Sequence, residues 1–479
     1  MSQAVAIEPS ADATEDTEFE REPVPEKRRL GFKSFVGMYA GEHAAGTEFM
    51  IGPLFVAGGA SVFDVVVGLL LGNLLAVLSW RYVCAPIAVR TRLTLYYKLE
   101  KICGSKLVNI YNLANGVMFC FLAGAMVAVS ATAVGVPFDM PMPGLDDWMP
   151  SGVSWIVAVF GVGAVISLVA AKGYDTVARF ANLASPWMVL VFLACGLAAL
   201  PALGIHSPGQ FWAVAEQKVW TGTPLPGQTQ LSFWHLTFFA WFANMAMHIG
   251  MADLSIFRFA HKASSGWAAA TGMFVGHYMA WIAAALLYAV QLQADPTNTQ
   301  VAPGPMAYGI AGWAGIVVVI VAGWTTANPT IYRAGLAFQS LFPRASRAQV
   351  TILAGVVATL GGCFPALVMK LLGFVALYGL VLMPMGTVVF VDFWLFPRLG
   401  LTQDFALAAG RRFNWAAGLT WFITLGLCLL LNRFAGVEIF FVALPGWFLA
   451  AVLYVVLSKI VQRRARSSLP SASPSASAA

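Results

Sequence analysis

Residues 41–59 read GEHAAGTEFMIGPLFVAGG, and this stretch decides the fold. It begins an apolar run, yet it contains ionisable residues and is interrupted by Gly46 and Pro53. A carboxylate inside a membrane span normally faces a cavity or a partner, because exposure to lipid is costly. Glycine and proline favour a broken helix, and secondary transporters hold substrates and ions at such breaks. We therefore predict a transporter organised around this segment, whose ionisable residues are Glu42, His43 and Glu48.

Composition indicates a polytopic membrane protein. Of the 479 residues, 59% are hydrophobic and only 10% are charged, whereas soluble domains have about 25% charged residues. The chain lacks the short alternating segments of an outer-membrane barrel, so we predict an all-α protein. The six cysteines occur singly, without the spacing of a zinc site or a disulfide framework.

Apolar runs of about 20 residues predict twelve transmembrane helices. The predicted spans are 39–60, 63–85, 106–135, 151–171, 175–201, 231–257, 266–290, 307–337, 349–369, 372–396, 413–433 and 437–461.

The distribution of positive charge predicts the orientation. With the N-terminus inside, only Lys218, Lys370 and Arg433 of the 28 Lys and Arg residues fall in outer loops. Positive residues concentrate in cytoplasmic loops, so we predict a multi-pass protein of the cytoplasmic membrane with both termini in the cytoplasm. The net charge of +6 therefore does not indicate nucleic-acid binding.

A second interrupted span supports an inverted repeat. Residues 244–255 read NMAMHIGMADLS and place Gly250 and Asp253 inside the sixth apolar run. Broken helices at the start of two five-helix halves are typical of inverted-repeat transporters. We thus predict a disordered acidic tail (1–34), two repeats (35–203 and 204–396), two extra helices (397–463) and a disordered C-terminal tail (464–479).

Several polar residues in the apolar runs are candidates for a ligand site. Thr325 and Thr326 offer adjacent hydroxyl oxygens, which suit a small hard cation, although membrane threonines often bond the carbonyl four residues earlier. Asn115 suits either a substrate contact or a helix–helix hydrogen bond. The remaining candidates are two rings that could stack on a planar ligand and two polar groups beside them, namely Trp241, Phe242, Asn244 and His248.

Four stretches resemble the nucleobase:cation symporter-1 (NCS1) family, of the purine and cytosine permease type. The resemblance covers about residues 35–460. It lies in GASVFDVVVGLLLGNLL (59–75), MADLSIFRF (251–259), WTTANPTIYRAGLAF (324–338) and LGFVALYGLVLMPMGTVVFVDF (372–393).

This resemblance implies an amino-acid/sodium-symporter-like core of ten helices, in which helices 1 and 6 are broken, with two further helices. It also implies a cation between the first and eighth helices. By position, its ligands would be the Thr325 and Thr326 hydroxyls and backbone carbonyls of Glu42, Ala45 and Ala322.

The residues at the implied substrate positions differ from the family pattern. Asn115 replaces a glutamine, and Met118 replaces a stacking tryptophan, with Phe119 beside it. In the first helix, Gly46, Thr47 and Glu48 stand where the family has small polar residues. The carboxylate of Glu48 suits a substrate that is rich in N–H donors or positively charged.

We predict a symporter that imports a nucleobase or related N-heterocycle with sodium as coupling ion, by alternating access. Two alternatives stay open: proton coupling through Glu48 or His248, and a membrane sensor that binds a ligand without moving it. No nucleophile–base or metal constellation indicates an enzyme, and no catalytic residue or further cofactor is predicted. The expected partners are the small-molecule substrate and the lipid bilayer, while the oligomeric state is left open, a monomer included.

Overall fold

The computed structural model describes residues 19–141, 143, 147–299, 301–364, 366 and 371–467. Within these ranges the chain is helical, with isolated bridges and no β-strand, so the predicted all-α class is confirmed. Residues 1–18 of the predicted N-terminal tail (1–34) and 468–479 of the predicted C-terminal tail (464–479) lie outside the described residues, while residues 464–467 are helical.

The described helices follow the apolar runs. Several helices contain π-helical turns, which lie at Asp64–Gly68, Trp80–Cys84, Thr271–Tyr278 and Val391–Leu395. Short 3-10 turns lie at Glu26–Arg28, Val136–Phe138 and Pro397–Leu399. The helices are α1 Lys33–His43, α2 Glu48–Ala57, α3 Asp64–Thr91, α4 Leu95–Cys103, α5 Ser105–Gly135, α6 Val153–Ala171, α7 Tyr174–Leu203, α8 Pro208–Lys218, α9 Phe233–Phe242, α10 Met245–His248, α11 Leu254–Phe257, α12 Ala263–Ala294, α13 Pro303–Ala311, α14 Trp313–Gln339, α15 Arg347–Gly362, α16 Leu371–Phe390, α17 Phe405–Ala408, α18 Trp415–Ala435 and α19 Ile439–Ser467.

In the described part of the chain, nine helices are long and apolar enough to cross a membrane: α3, α5, α6, α7, α12, α14, α16, α18 and α19. Large apolar side chains such as Leu183 and Phe434 lie exposed on their outer faces, as expected of a surface covered by lipid. The chain is thus a multi-pass membrane protein. The other three predicted spans correspond to α1 with α2, to α9–α11 and to the 16-residue α15, so the count of twelve stays a prediction.

The first predicted break is present, and it lies upstream of the proline. Helix α1 ends at His43 and α2 begins at Glu48, while Pro53 lies inside α2. Gly46 sits in the break, where a Cβ atom would lie 2.5 Å from Val129 Cγ1 of α5. The missing side chain therefore lets the broken segment approach its neighbours closely.

The sixth predicted span is divided into α9, α10 and α11. Met251, between α10 and α11, has a φ of 66°, which is uncommon for a residue with a side chain. The chain therefore leaves helical geometry inside an apolar run here also, and backbone groups become available to other partners.

Packing places the two breaks around one interior region. The most extensive helix contact in the described chain joins α5 to α14, while α1 packs on α7 and α2 packs on α12. Helix α9 lies on α3. The first broken helix is consequently held against α7, α12 and α14, and the second against α3 and α16.

Residues 19–34, which the sequence assigns to the tail, lie against the helices. Val24 is fully buried, and its N–H donates to the Arg92 carbonyl at 3.0 Å. Arg21 pairs with Glu100 of α4 at 2.7 Å. This end of the molecule, where residues 19–34 contact α4, is called the N-terminal end below. The predicted disorder stays a prediction for the undescribed residues 1–18.

A buried lysine links α4 to the end of α16. Lys98 Nζ lies 3.1 Å from Asp392 and 2.6 Å from Asp404, and Lys101 also reaches Asp404 at 3.0 Å. Burial raises the pKa of the Asp404 carboxyl, but the two lysines outweigh it and hold the pKa below its usual range. Asp404 therefore stabilises the fold when ionised, and this stabilisation is lost as the pH falls through its lowered pKa.

Replacing Lys98 by methionine should destabilise the protein by about 3–5 kcal/mol, because two carboxylates lose their buried cation. Denaturant titration of the purified protein in detergent measures the decrease in the free energy of unfolding. K101M is the matched control and should cost at most about 1 kcal/mol, since Lys101 is partly exposed. Equal costs for the two variants would contradict the assignment.

Candidate functional site

A cavity lies between the two breaks. Its polar lining comes from the first broken helix, from Asn244 and His277 and from two threonines of α14, and aromatic rings complete the wall. Its lining residues are Glu42, His43, Ala45, Thr47, Glu48, Ile51, Leu122, Met126, Phe239, Ala243, Asn244, Ala246, Met247, His277, Trp281, Thr326, Thr330, Val375, Tyr378 and Phe440.

An oxygen cluster lies at the edge of this cavity, where α14 meets the end of α1. The Thr326 hydroxyl lies 2.8 Å from the Glu42 carbonyl oxygen and 3.2 Å from that of Ala322. The Thr325 hydroxyl lies 3.1 Å from the same Ala322 carbonyl. The structure thus brings together four of the five predicted cation ligands. Ala45, the fifth, lines the cavity, and its carbonyl accepts the Glu48 N–H at 3.1 Å.

The donor set of this cluster suits an alkali cation. It consists of neutral hydroxyl and carbonyl oxygens, which are hard ligands. Among the described residues, no three His, Cys, Asp or Glu side chains converge into a site for a softer metal. Sodium therefore fits the cluster by ligand type.

Glu48 begins α2, and its buried carboxyl group lines the cavity. It accepts hydrogen bonds from the Trp281 indole N–H and from the Thr47 hydroxyl. His277 Nε2 lies 3.8 Å from Glu48 Oε1, and the His277 ring stacks on Trp281. Within the described chain no Lys or Arg pairs with Glu48, whose neighbours are the neutral donors Trp281 and Thr47 and the nearby His277.

The predicted residues of α5 lie near the cavity but do not line it. The Asn115 amide donates to the Tyr96 hydroxyl and accepts from the Tyr378 hydroxyl, both at 3.2 Å. Phe119 meets the Tyr378 ring edge-on, with centroids 5.2 Å apart, and Met118 is partly buried beside the core. Of these groups only Tyr378 lines the cavity, and Asn115 and Phe119 lie behind it.

Asn115→Leu should weaken ligand binding by about 1–3 kcal/mol, because two buried tyrosine hydroxyls lose a partner and Tyr378 loses its fixed orientation. Isothermal titration of the purified variant checks this. Asn73→Leu is a matched control, since its buried amide bonds only the Leu69 carbonyl within its own helix. Unchanged affinity in Asn115→Leu would show that Asn115 is purely structural.

The residues predicted in the sixth span separate into two groups. Asn244 lines the cavity, and its buried Nδ2 has no hydrogen-bond partner in the described structure. Trp241 instead donates to Ser79 at 3.0 Å and stacks on Phe242. His248 Nε2 lies 3.0 Å from the Trp241 carbonyl, and its ring packs on Trp80. None of these three lines the cavity.

Sequence reasoning missed His277, Trp281 and Arg333. His277 and Trp281 lie one turn apart in the seventh span and form the part of the cavity wall that contacts Glu48. A histidine inside an apolar run was the available signal for the first of them. Arg333 follows the threonines of α14 by two turns and is fully buried.

Comparison with solved structures identifies the fold. No family profile and no curated protein matches the sequence. The structure superposes on Mhp1, an NCS1 family transporter, in a closed conformation with bromovinylhydantoin bound. The TM-score is 0.71 at 16% identity, covering 94% of this chain and 96% of that chain.

Two further structures agree. Inward-facing Mhp1 gives a TM-score of 0.67 at 16% identity, covering 92% and 93% of the two chains. A Na⁺-coupled sialic acid symporter in a substrate-bound outward-open state gives 0.65 at 13% identity, covering 90% of each. All are transporters rather than enzymes, and the all-α transporter fold implied by the sequence resemblance is confirmed, while its helix count stays a prediction.

Proposed function

We propose that the protein is a sodium-coupled symporter of the NCS1 type, which imports a nucleobase or related N-heterocycle across the cytoplasmic membrane. The observation that carries the proposal is the oxygen cluster of Glu42, Ala322, Thr325 and Thr326 beside a cavity between two broken helices. The positive-inside pattern supports an orientation in which the N-terminal end faces the cytoplasm.

The ion and the substrate are coupled because they share the first broken helix. Sodium would bridge the Glu42 carbonyl of α1 to the threonines of α14, while the cavity beside it uses Thr47 and Glu48 of the same segment. Each ligand then favours the arrangement that the other requires, so each raises the affinity of the other by the same factor. Alternating access moves the two broken helices relative to α5 and α14 around this site.

The cavity supports a flat ligand with both donors and acceptors on its edge. Glu48 can accept from ligand N–H groups, and the unpartnered Asn244 amide can donate to a ligand carbonyl. The rings of Phe239, Trp281 and Tyr378 offer faces and edges to a heterocycle.

A thermal-shift screen tests this proposal. The purified protein is heated with purines, pyrimidines, hydantoins, allantoin or thiamine-like compounds, in sodium chloride or in choline chloride. A ligand at 100 times its dissociation constant should stabilise the protein by about 2.7 kcal/mol. Stabilisation by a heterocycle in sodium that is much smaller in choline supports the proposal. Equal stabilisation in both salts would contradict sodium coupling.

Proton coupling is the second candidate, and it rests on Glu48. The buried Glu48 carboxyl group lies 3.8 Å from His277, whereas His248 lies outside the cavity lining. Uptake driven by a pH gradient in sodium-free medium would favour this candidate. A sensor, the third reading, would bind ligand without exchanging labelled for unlabelled ligand across a proteoliposome membrane.

A further inference from the structure

A fully buried ion cluster lies next to the oxygen cluster and outside the mechanism so far described. Arg333 of α14 donates to Glu42 at the end of α1, with 2.5 Å to Oε1 and 3.2 Å to Oε2. It also donates to Asp253 Oδ1, just before α11, at 2.7 Å. Arg333 and Asp253 are fully buried, and Glu42 is nearly so. One guanidinium group therefore joins both broken helices to α14.

Neutral donors complete this cluster and locate it. The Tyr39 hydroxyl and the Trp80 indole N–H both donate to Asp253 Oδ2, at 2.5 and 2.7 Å. The Tyr96 hydroxyl of α4 donates to the Arg333 carbonyl at 3.1 Å. Tyr39 precedes the first break, and α4 contacts residues 19–34. The cluster therefore lies between the cavity and the N-terminal end.

Glu42 belongs to both clusters. Its backbone carbonyl accepts a hydrogen bond from the Thr326 hydroxyl of α14. Its side chain pairs with Arg333, which lies two turns beyond Thr326 on α14. A shift of α1 relative to α14 would consequently disturb the oxygen cluster and the ion pair together.

We propose that Arg333 is a positioning residue that couples the sodium site to closure of the cytoplasmic side. This inference rests on the proposed function. With Arg333 on both carboxylates, α1, α11 and α14 are held together below the cavity, and the Glu42 carbonyl is held at the sodium site. Opening of the N-terminal end separates Asp253 from Arg333, and the Glu42 carbonyl leaves the threonines.

The burial of the cluster makes this change switch-like. A buried charge that loses its partner is strongly unfavourable, so the ions separate only when water reaches all of them. The packed ion cluster therefore has two discrete states, one with the ions paired and one with them separated and hydrated. Sodium, by holding Glu42 against Thr326, favours the closed state, and its release accompanies opening.

A native cysteine can report on this opening. Cys84 is fully buried on α3, one turn after Trp80. It lies on the side of Trp80 that leads to Arg92, whose carbonyl accepts the Val24 N–H at the N-terminal end. A protein that retains Cys84 and has its other five cysteines replaced by alanine is reconstituted in proteoliposomes. Labelling of Cys84 by a charged maleimide applied to the cytoplasmic face is timed in sodium and in choline.

Sodium should slow labelling of the parent protein by about fivefold or more, which is the usual scale of coupling between sites. In R333Q the labelling should be fast in both salts. R333K should recover part of the protection, because a lysine keeps the charge but lacks the planar fork that binds both oxygens of Glu42. R347Q is the matched control and should behave like the parent, since Arg347 is buried but bonds the Ala171 carbonyl outside the cluster.

The outcomes separate this inference from the proposed function. Full sodium protection of Cys84 in R333Q would overturn the inference. Sodium-stimulated ligand binding by the parent without sodium protection of Cys84 would also overturn it and would leave the proposed function intact. A parent with neither effect would overturn both. Should R333Q fail to fold, E42Q breaks the bidentate pair with the arginine in place, and the same loss of protection is expected.

Discussion

Replacing Thr325 and Thr326 together by alanine is expected to abolish the sodium stimulation of ligand binding. The double variant removes both hydroxyl oxygens from the cluster and leaves only the Glu42 and Ala322 carbonyls. Loss of two of the proposed ligands should lower the sodium affinity more than about tenfold, and a tenfold change corresponds to about 1.4 kcal/mol of binding free energy. Ligand affinity measured across a sodium titration at constant ionic strength reports this loss.

Two matched variants make the result specific. T420A/T424A removes two buried threonines from α18, far along the chain from the cluster, and should leave the sodium dependence unchanged. T325S/T326S keeps both hydroxyl oxygens and should retain the sodium dependence. Equal sodium dependence in the alanine double variant and the parent would show that the threonines are not sodium ligands.

Glu48→Gln has the second large expected effect. Glutamine can still accept the Trp281 N–H through its carbonyl oxygen, so the wall of the cavity should persist while the negative charge is lost. Hydrogen bonds to a charged group contribute about 1.5–3 kcal/mol, so binding of a donor-rich heterocycle should weaken about 10- to 150-fold. The loss should hold at every pH if Glu48 acts as an ionised substrate ligand.

The experiment measures uptake against pH, with and without sodium, for the parent and for Glu48→Gln. Glu216→Gln is the matched control, because Glu216 also accepts an indole N–H, from Trp212, but on the exposed surface. A pH dependence that disappears only in Glu48→Gln would favour the proton-coupled candidate. Parental behaviour of Glu48→Gln under all conditions would make Glu48 a structural residue that serves Trp281 and His277.

The sequence located the broken helices because local chemistry causes them. Gly46 marks the first break, and Gly250 precedes the strained Met251 in the second. Pro53 was misleading in detail: α2 continues through it, and the break lies in residues 44–47. Glycine was the better indicator here, since close packing against α5 requires a missing side chain.

The residues of the cavity wall were harder to predict, because they depend on which face each helix turns toward the cavity and on how far along the helix axis the cavity lies. In the sixth span Phe239 lines the cavity, whereas Trp241 lies two residues on, about 200° around the helix, and faces Ser79. In α5 the predicted face was that of Asn115. The lining residues Leu122 and Met126 lie on the same face but begin seven residues later, about 10 Å along the axis.

Long-range partners could not be inferred from spacing. Glu48 and Trp281 are 233 residues apart in sequence, and Glu42 and Arg333 are 291 apart. The sequence predicted that Glu42 and Glu48 need partners, because buried carboxylates do. The packing of α1 and α2 against α12 and α14 shows that Glu42 is satisfied by Arg333. Among the described residues, Glu48 has neutral donors and a histidine nearby but no Lys or Arg.

Accumulation of a screened heterocycle in proteoliposomes tests the central claim of sodium-coupled symport most directly. Purified protein is reconstituted, and labelled ligand is followed under an inward sodium gradient, at equal pH on both sides and at a clamped membrane potential. Sodium-coupled symport should give accumulation above the external concentration, which collapses when the sodium gradient is dissipated and is absent in the T325A/T326A variant. Equal accumulation in sodium-free medium, or saturable binding without any accumulation, would contradict it.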